Sequence, residues 1–238
     1  MPPMRTFKTL AAIASLAAVL ATGASAANAA AIVDVQFSRD PGLQQTGAAM
    51  IGSSGDLWND FLGNTGSGSL LDTSGAASGV SLSFSAALVY ESDPGYTQFT
   101  GTPWANLMQG YLVDFSNSPG IDLKFTGLVA GQQYGFWIYT QGDNNSGSRQ
   151  ISLTANGGST LVATQADDST FVLGSNYTYL TSFADSNGVV DIIAHDLNGE
   201  ANINGVQLMA VPESSSLALM LAGFMFFGGA ALRKSRAR

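Results

Sequence analysis

The sequence predicts an all-β fold, an antiparallel β-sandwich or jelly roll over residues 30–210, flanked by an N-terminal signal helix (residues 1–29) and a C-terminal transmembrane helix (residues 215–232). Three observations carry that prediction. Short runs rich in Val, Ile, Thr and aromatic residues recur between Asn/Gly clusters, without the long 3.6-residue periodicity that an α/β fold would need. Gly is abundant at 28 residues while only 11% of the chain is charged, which suits a turn-rich β-protein. A charge-free apolar run lies near each end, bordered by basic residues and set apart from the strand pattern.

In chain order, Ala31 to Phe37 reads as the opening strand, and Ser53 to Asn64 is ambiguous. Val80 to Tyr90 reads as one longer strand, alternating through Val80, Leu82, Phe84 and Ala86. Pro103 to Gly110 reads as a helical turn. Ile121 to Leu128 and Gln133 to Gln141 flank Val129-Ala130-Gly131-Gln132 and read as a hairpin, with an aromatic-rich second strand. Alternation there puts Phe136 and Trp137 on opposite faces, so that one of the two is buried. Gln150 to Ala155, Thr160 to Thr164, Asn176 to Phe183, Val189 to His195 and Ala201 to Met209 complete the strands. Turns fall at Asn156-Gly157-Gly158, Asn187-Gly188 and Asn198-Gly199, where Asn and Gly supply positive φ. No Cys is present, so disulfides and thiolate metal sites play no part.

At the N-terminus Arg5 and Lys8 precede the apolar run Leu10 to Leu20, followed by the small-residue sites Ala24-Ser25-Ala26 and Ala27-Asn28-Ala29. This is the pattern of a secretory signal peptide, with cleavage by signal peptidase expected between Ala29 and Ala30. At the C-terminus Leu217 to Leu232 carries no charge and is followed by Arg233, Lys234, Arg236 and Arg238. At about 1.5 Å per residue that run makes roughly 24 Å of helix, short of the ~30 Å hydrocarbon core unless Ser214 to Ser216 and snorkelling basic side chains extend it. The basic cluster acts as a stop signal and stays cytoplasmic, which puts the body outside the inner membrane. Pro212 lacks an amide hydrogen and biases Val211 toward an extended conformation, so the peptide ahead of the helix is expected to be non-helical.

Val211-Pro212-Glu213, the Ser-rich spacer, the short apolar segment and the terminal Arg/Lys cluster together resemble the PEP-CTERM sorting signal of Gram-negative bacteria. Ser214 stands where that signal has its second proline. The resemblance covers residues 211–238: a motif at 211–214, a transmembrane helix at 215–232 and a basic tail at 233–238. It implies recognition by an exosortase, transient anchoring in the inner membrane, and delivery to the cell surface or the extracellular matrix.

The body resembles, more loosely, galactose-binding-like jelly rolls. The segments that carry this are "QTGAAMIGSSGDLWND" (Gln45 to Asp60), "FTGLVAGQQYGFWIYTQ" (Phe125 to Gln141) and "GEANINGVQLM" (Gly199 to Met209), with Ala130 where the family's hairpin usually has Pro. Such folds imply binding of glycan or another polymer more often than catalysis.

Residues 30–213 hold three basic residues (Arg39, Lys124, Arg149) against seventeen acids, a formal charge of −14. Nucleic acid is excluded as a partner, because binding it needs a basic surface to displace phosphate counterions. Bound divalent cations such as calcium suit so acidic a body, although a strongly acidic surface can equally serve solubility alone. Asp143-Asn144-Asn145-Ser146-Gly147 has the spacing of the start of a calcium loop, with Asp143 and Asn145 as ligands, although a solvated turn has the same composition.

No G-x-S-x-G elbow is present, and the single His, His195, stands beside Asp196 at a strand end; one His without Cys disfavours zinc. Glu91, Asp93 and Glu200 are the acids available for a glycosidase pair. Trp58, Trp104 and Trp137 are the glycan-binding candidates, able either to stack on sugar rings or to pack the core. Trp104, beside Pro103, is the one expected to be exposed. The sequence therefore points to an exported, non-enzymatic surface or matrix protein that binds polysaccharide or is structural. The alternative is a secreted carbohydrate-active hydrolase.

Overall fold

A computed structural model describes residues 31–93, 97–115, 118–143, 149–166 and 168–212. The signal peptide, Asn145, Glu213, Ser214, the expected membrane helix and the basic tail lie outside the described residues, within which no helix is long and apolar enough to cross a membrane.

The strands are β1 (Ile32–Ser38), β2 (Asn59–Leu62), β3 (Thr65–Leu71), β4 (Ala77–Ser85), β5 (Leu88–Glu91), β6 (Gly110–Phe115) and β7 (Ile121–Thr126). They continue with β8 (Gln133–Tyr139), β9 (Gln150–Ala155), β10 (Thr160–Ala163), β11 (Tyr177–Phe183), β12 (Val190–Asn198), β13 (Glu200–Ile203) and β14 (Gly205–Ala210). One short helix, α1 (Ala105–Gln109), precedes β6, within the expected helical turn. A five-stranded sheet in the order β11-β8-β14-β1-β2 and a six-stranded sheet in the order β10-β9-β12-β7-β4-β3 make up the sandwich, and β13-β6-β5 form a third, smaller sheet.

Alternation decides what the sandwich buries. Val33, Val35 and Phe37 of β1, Phe136 and Ile138 of β8, Leu180 of β11, and Val206 and Leu208 of β14 pack against Leu82 and Phe84 of β4, Ile121, Leu123 and Phe125 of β7, Ile151 and Leu153 of β9, and Val190 and Ile192 of β12. Phe125 and Phe136 meet across the core with ring centroids 5.4 Å apart. Apolar contacts of this kind supply the main driving force of the fold, since removing apolar surface from water is worth roughly 25 cal/mol per Å².

Four sequence expectations are corrected. β1 and β2 run parallel, pairing Val35 with Asn59 and Phe37 with Phe61, so the sandwich is not wholly antiparallel. The β7–β8 segment is no hairpin: β7 pairs with β4 and β12, β8 with β11 and β14, and the Val129–Gln132 turn carries the chain between sheets. That turn is fastened from outside, with Gly131 N donating to Ala184 O at 3.0 Å and Leu128 N to Gly188 O at 3.1 Å. Val80 to Tyr90 breaks into β4 and β5 because Asn64 Nδ2 takes the carbonyls of Ala86 and Ala87, ending the ladder at a corner. Ala201 to Met209 breaks into β13 and β14 at Asn204, whose side chain donates to the carbonyls of Met108 and Gly110 and accepts from Gln141 N. The turn expected at Asn156-Gly157-Gly158 joins β9 to β10 as an antiparallel pair, with Asn156 (φ 48°) and Gly157 (φ 66°) in the left-handed region and Gly158 N donating to Ala155 O at 2.9 Å.

Candidate functional site

The outward face of the five-stranded sheet is divided in two. Asp34, Gln207, Trp137 and Tyr179 stand in register across β1, β14, β8 and β11. The Asp34 end of this row is roofed by the loop before β2. Gln207 anchors that roof: its Oε1 accepts from Met50 N and Ile51 N at 3.1 Å each, and its Nε2 donates to Ile51 O and to Asp34 Oδ1 at 3.0 Å each. The Tyr139 hydroxyl donates to the same Oε1 and accepts from Met50 N. A second apolar cluster of Trp58, Phe99, Leu107, Met108 and Tyr139 seals this side, with Phe171 against Tyr139 at 5.0 Å.

Asp34 is fully buried beneath the roof and its Oδ2 has no hydrogen-bond partner among the described residues. Burial raises its carboxyl to about 7, partly countered by the bond from Gln207, with the Asp56 carboxylate adding to the rise. Burial likewise pushes the Tyr139 hydroxyl well above its ordinary range. The Tyr139 hydroxyl is therefore a neutral hydrogen-bonding group at pH 7, whereas the Asp34 carboxyl holds its proton in acid and gives it up around neutrality.

The Tyr179 end is open. Trp137 and Tyr179 lie side by side with ring centroids 4.7 Å apart and planes inclined at 45°. Tyr179 is 38% exposed and Phe183, two outward positions further along β11, is 60% exposed. Half-buried Trp137 and Met209, exposed Thr181 and buried Gly135 complete the floor. Gly135 is needed there: a Cβ at this position would sit 2.7 Å from the Tyr179 hydroxyl and 2.8 Å from its ring, so only glycine lets the ring lie down over β8. The result is a shallow aromatic platform whose described floor residues include no Asp, Glu, Lys, Arg or His.

The three tryptophans thus have different fates. Trp58 is 3% exposed and its indole N–H donates to Gly47 O at 2.8 Å, which makes it a core residue and no platform. Trp104, expected to be exposed, is half-buried between Phe99 and Phe171 and donates to Ala48 O at 3.0 Å, because the roof loop folds over it. Trp137 faces outwards while Phe136 is buried, as alternation requires. Tyr179 and Gly135 were not singled out from the sequence. The alternation of Tyr177, Tyr179, Thr181 and Phe183 on one face of β11 is the signal that could have found the first.

The other candidates are placed as follows. Asp143 Oδ1 accepts from Arg149 Nη1 at 3.2 Å, and the same nitrogen bonds Glu200 Oε1 at 2.6 Å, so a guanidinium holds the carboxylate that calcium would need. Among the described residues no group of three His, Asp or Glu converges to hold a metal ion. Burial raises the Glu200 carboxyl, against the lowering effect of Arg149. Glu91 instead accepts from the backbone N–H of Arg39 and Asp40, and Asp93 is exposed, so these acids have separate surroundings. His195 is exposed on the outer face of the six-stranded sheet. Val211 follows β14 directly and is pinned, its N–H donating to Gln133 O at 2.8 Å and its carbonyl accepting from Gln132 Nε2 at 2.7 Å, while Pro212 is exposed.

No protein-family model matches this chain, and no curated protein matches it. Among solved structures it is similar to a calcium-binding mutant of Bacteroides uniformis beta-glucuronidase 2, at 12% identity and a TM-score of 0.44 over 76% of this chain and 18% of that one. It is also similar to the family 35 carbohydrate-binding module of Cellvibrio japonicus Abf62, at 17% identity and a TM-score of 0.31 over 51% of this chain and 81% of that one. A family 35 carbohydrate-binding module from Clostridium thermocellum is similar at 13% identity and a TM-score of 0.31, over 53% of this chain and 90% of that one. The chain thus spans less than a fifth of the glucuronidase's length.

Proposed function

We propose that this is an exported, non-enzymatic β-sandwich protein that binds polysaccharide at the Trp137–Tyr179 platform. It is delivered to the cell surface or extracellular matrix by the PEP-CTERM-like signal at its C-terminus. The observation that carries the binding reading is the open pair of aromatic rings on a sheet face, where Gly135 leaves room for the Tyr179 ring over β8. Sugar rings present patches of C–H on their flat faces, and an aromatic surface of this kind desolvates those patches without needing a pocket. A platform on strands is already ordered before the ligand arrives, so little conformational entropy is lost on binding.

Export is supported by the two charge-flanked apolar ends, and the sorting step by the order of Val211-Pro212-Glu213, Ser-rich spacer, apolar run and basic tail directly after β14. Affinity electrophoresis through gels cast with soluble polysaccharides tests the binding reading. Retarded migration that Trp137→Ala abolishes is the expected result; free migration in every gel refutes it.

A further inference from the structure

We infer that the platform selects neutral polysaccharides and rejects polyuronates and sulfated polymers. This rests on the polysaccharide-binding reading above and adds the charge class of the ligand. Any side chain that could attract an anionic sugar would have to come from Arg39, Lys124 or Arg149, the three basic residues of the body. Lys124 Nζ is 3.4 Å from Asp191 on the six-stranded sheet, and Arg149 is bound by Asp143 and Glu200. Arg39 follows β1 at the end where β1 pairs with β2, whereas Tyr179 lies on β11 at the opposite edge of the five-stranded sheet. None of the three lies in the register rows that build the platform.

The floor itself, made of Tyr179, Trp137, Met209, Thr181, Gly135 and Phe183, contains no Asp, Glu, Lys, Arg or His. Around it the body carries seventeen acids against three bases. A polymer with an anion on each sugar would meet this field over its whole length, screened only beyond about 10 Å at 0.1 M salt. A neutral chain pays no such penalty and gains the stacking contact in full. The same charge argues against a second copy as the occupant, since two bodies of like sign would have to meet face to face.

The test is affinity electrophoresis of the full chain, held in a sugar-free zwitterionic detergent, against hydroxyethylcellulose, galactomannan, alginate and dextran sulfate. Expected are retardation by at least one neutral polymer, none by the two anionic ones at 20 mM salt, and a mobility ratio that is unchanged at 500 mM salt. Trp137→Ala and Gly135→Ala should each weaken neutral binding at least tenfold, with near-ultraviolet circular dichroism showing that the fold persists. Retardation by alginate or dextran sulfate that Trp137→Ala removes would overturn the charge selection while leaving polysaccharide binding intact. No retardation by any polymer overturns both readings. A dimer in light scattering that Trp137→Ala dissociates would put a second copy on the platform and overturn both as well.

Discussion

Asp34→Asn measures how much stability the roof over the outer sheet face gives up to a buried acid. Asp34 is fully buried, its Oδ1 bonded to Gln207 Nε2 and its Oδ2 without a partner among the described residues, and burial lifts its carboxyl to about 7 from an ordinary 3.8. Because the folded state holds the proton more tightly than the unfolded chain, stability from this group falls as pH rises from about 4 to about 7 and is level outside that window. At 1.36 kcal/mol per pKa unit the total loss is about 4 kcal/mol. Asparagine keeps the acceptor for Gln207 and cannot ionise. The expected result is that the stability of Asp34→Asn relative to the parent rises by about 4 kcal/mol between pH 3.5 and pH 8, read from urea midpoints at closely spaced pH. Its value at low pH lies about 1–3 kcal/mol below the parent, the cost of a buried amide without a partner. A difference that stays flat across this range would refute the reasoning, because it would mean that Asp34 ionises in the folded protein as it does in water.

Arg149→Ala leaves the Glu200 and Asp143 carboxylates facing each other without their cation; a loss of about 2–3 kcal/mol at pH 7 is expected, shrinking toward pH 4 as Glu200 takes up a proton. Phe125→Ala, which empties the contact between the two sheets, is expected to cost about 3–5 kcal/mol in the same unfolding assay. Trp137→Ala, on a half-exposed position, is expected to cost less than about 1 kcal/mol, so that any loss of binding is not a loss of fold. Deleting Leu217 to Arg238 is expected to release the body without surface processing; a band of unchanged size and location in blotted cell fractions would count against the sorting signal.

The parts of this fold that the sequence displayed were those governed by local rules. β1, β9 and β11 and the turn at Asn156-Gly157 follow from alternation and from residues that accept positive φ, and the structure has them within a residue or two. What stayed hidden was decided by side chains far away in sequence. Asn64 ends β4 by capping Ala86 and Ala87, and Asn204 separates β13 from β14 by reaching Met108 and Gly110. No local pattern marks either asparagine as a strand breaker. β3, with its Gly-Ser repeats, carries weak strand propensity and is held by its pairing with β4. The site divided along the same line. Alternation alone set Trp137 opposite Phe136, but the burial of Trp58 and Trp104 depends on the roof loop, which is anchored by Gln207 from the other end of the chain.

The three indole N–H groups offer the most direct measurement of the central claim. Trp58 and Trp104 donate to Gly47 O and Ala48 O beneath the roof, whereas Trp137 lies on the open face against Tyr179. In a ¹⁵N-tryptophan-labelled sample titrated with galactomannan or hydroxyethylcellulose fragments, the Trp137 resonance should shift with saturation while the other two stay in place. Movement of Trp58 or Trp104 with a stationary Trp137, or three unmoved resonances in every titration, would contradict the assignment of the platform.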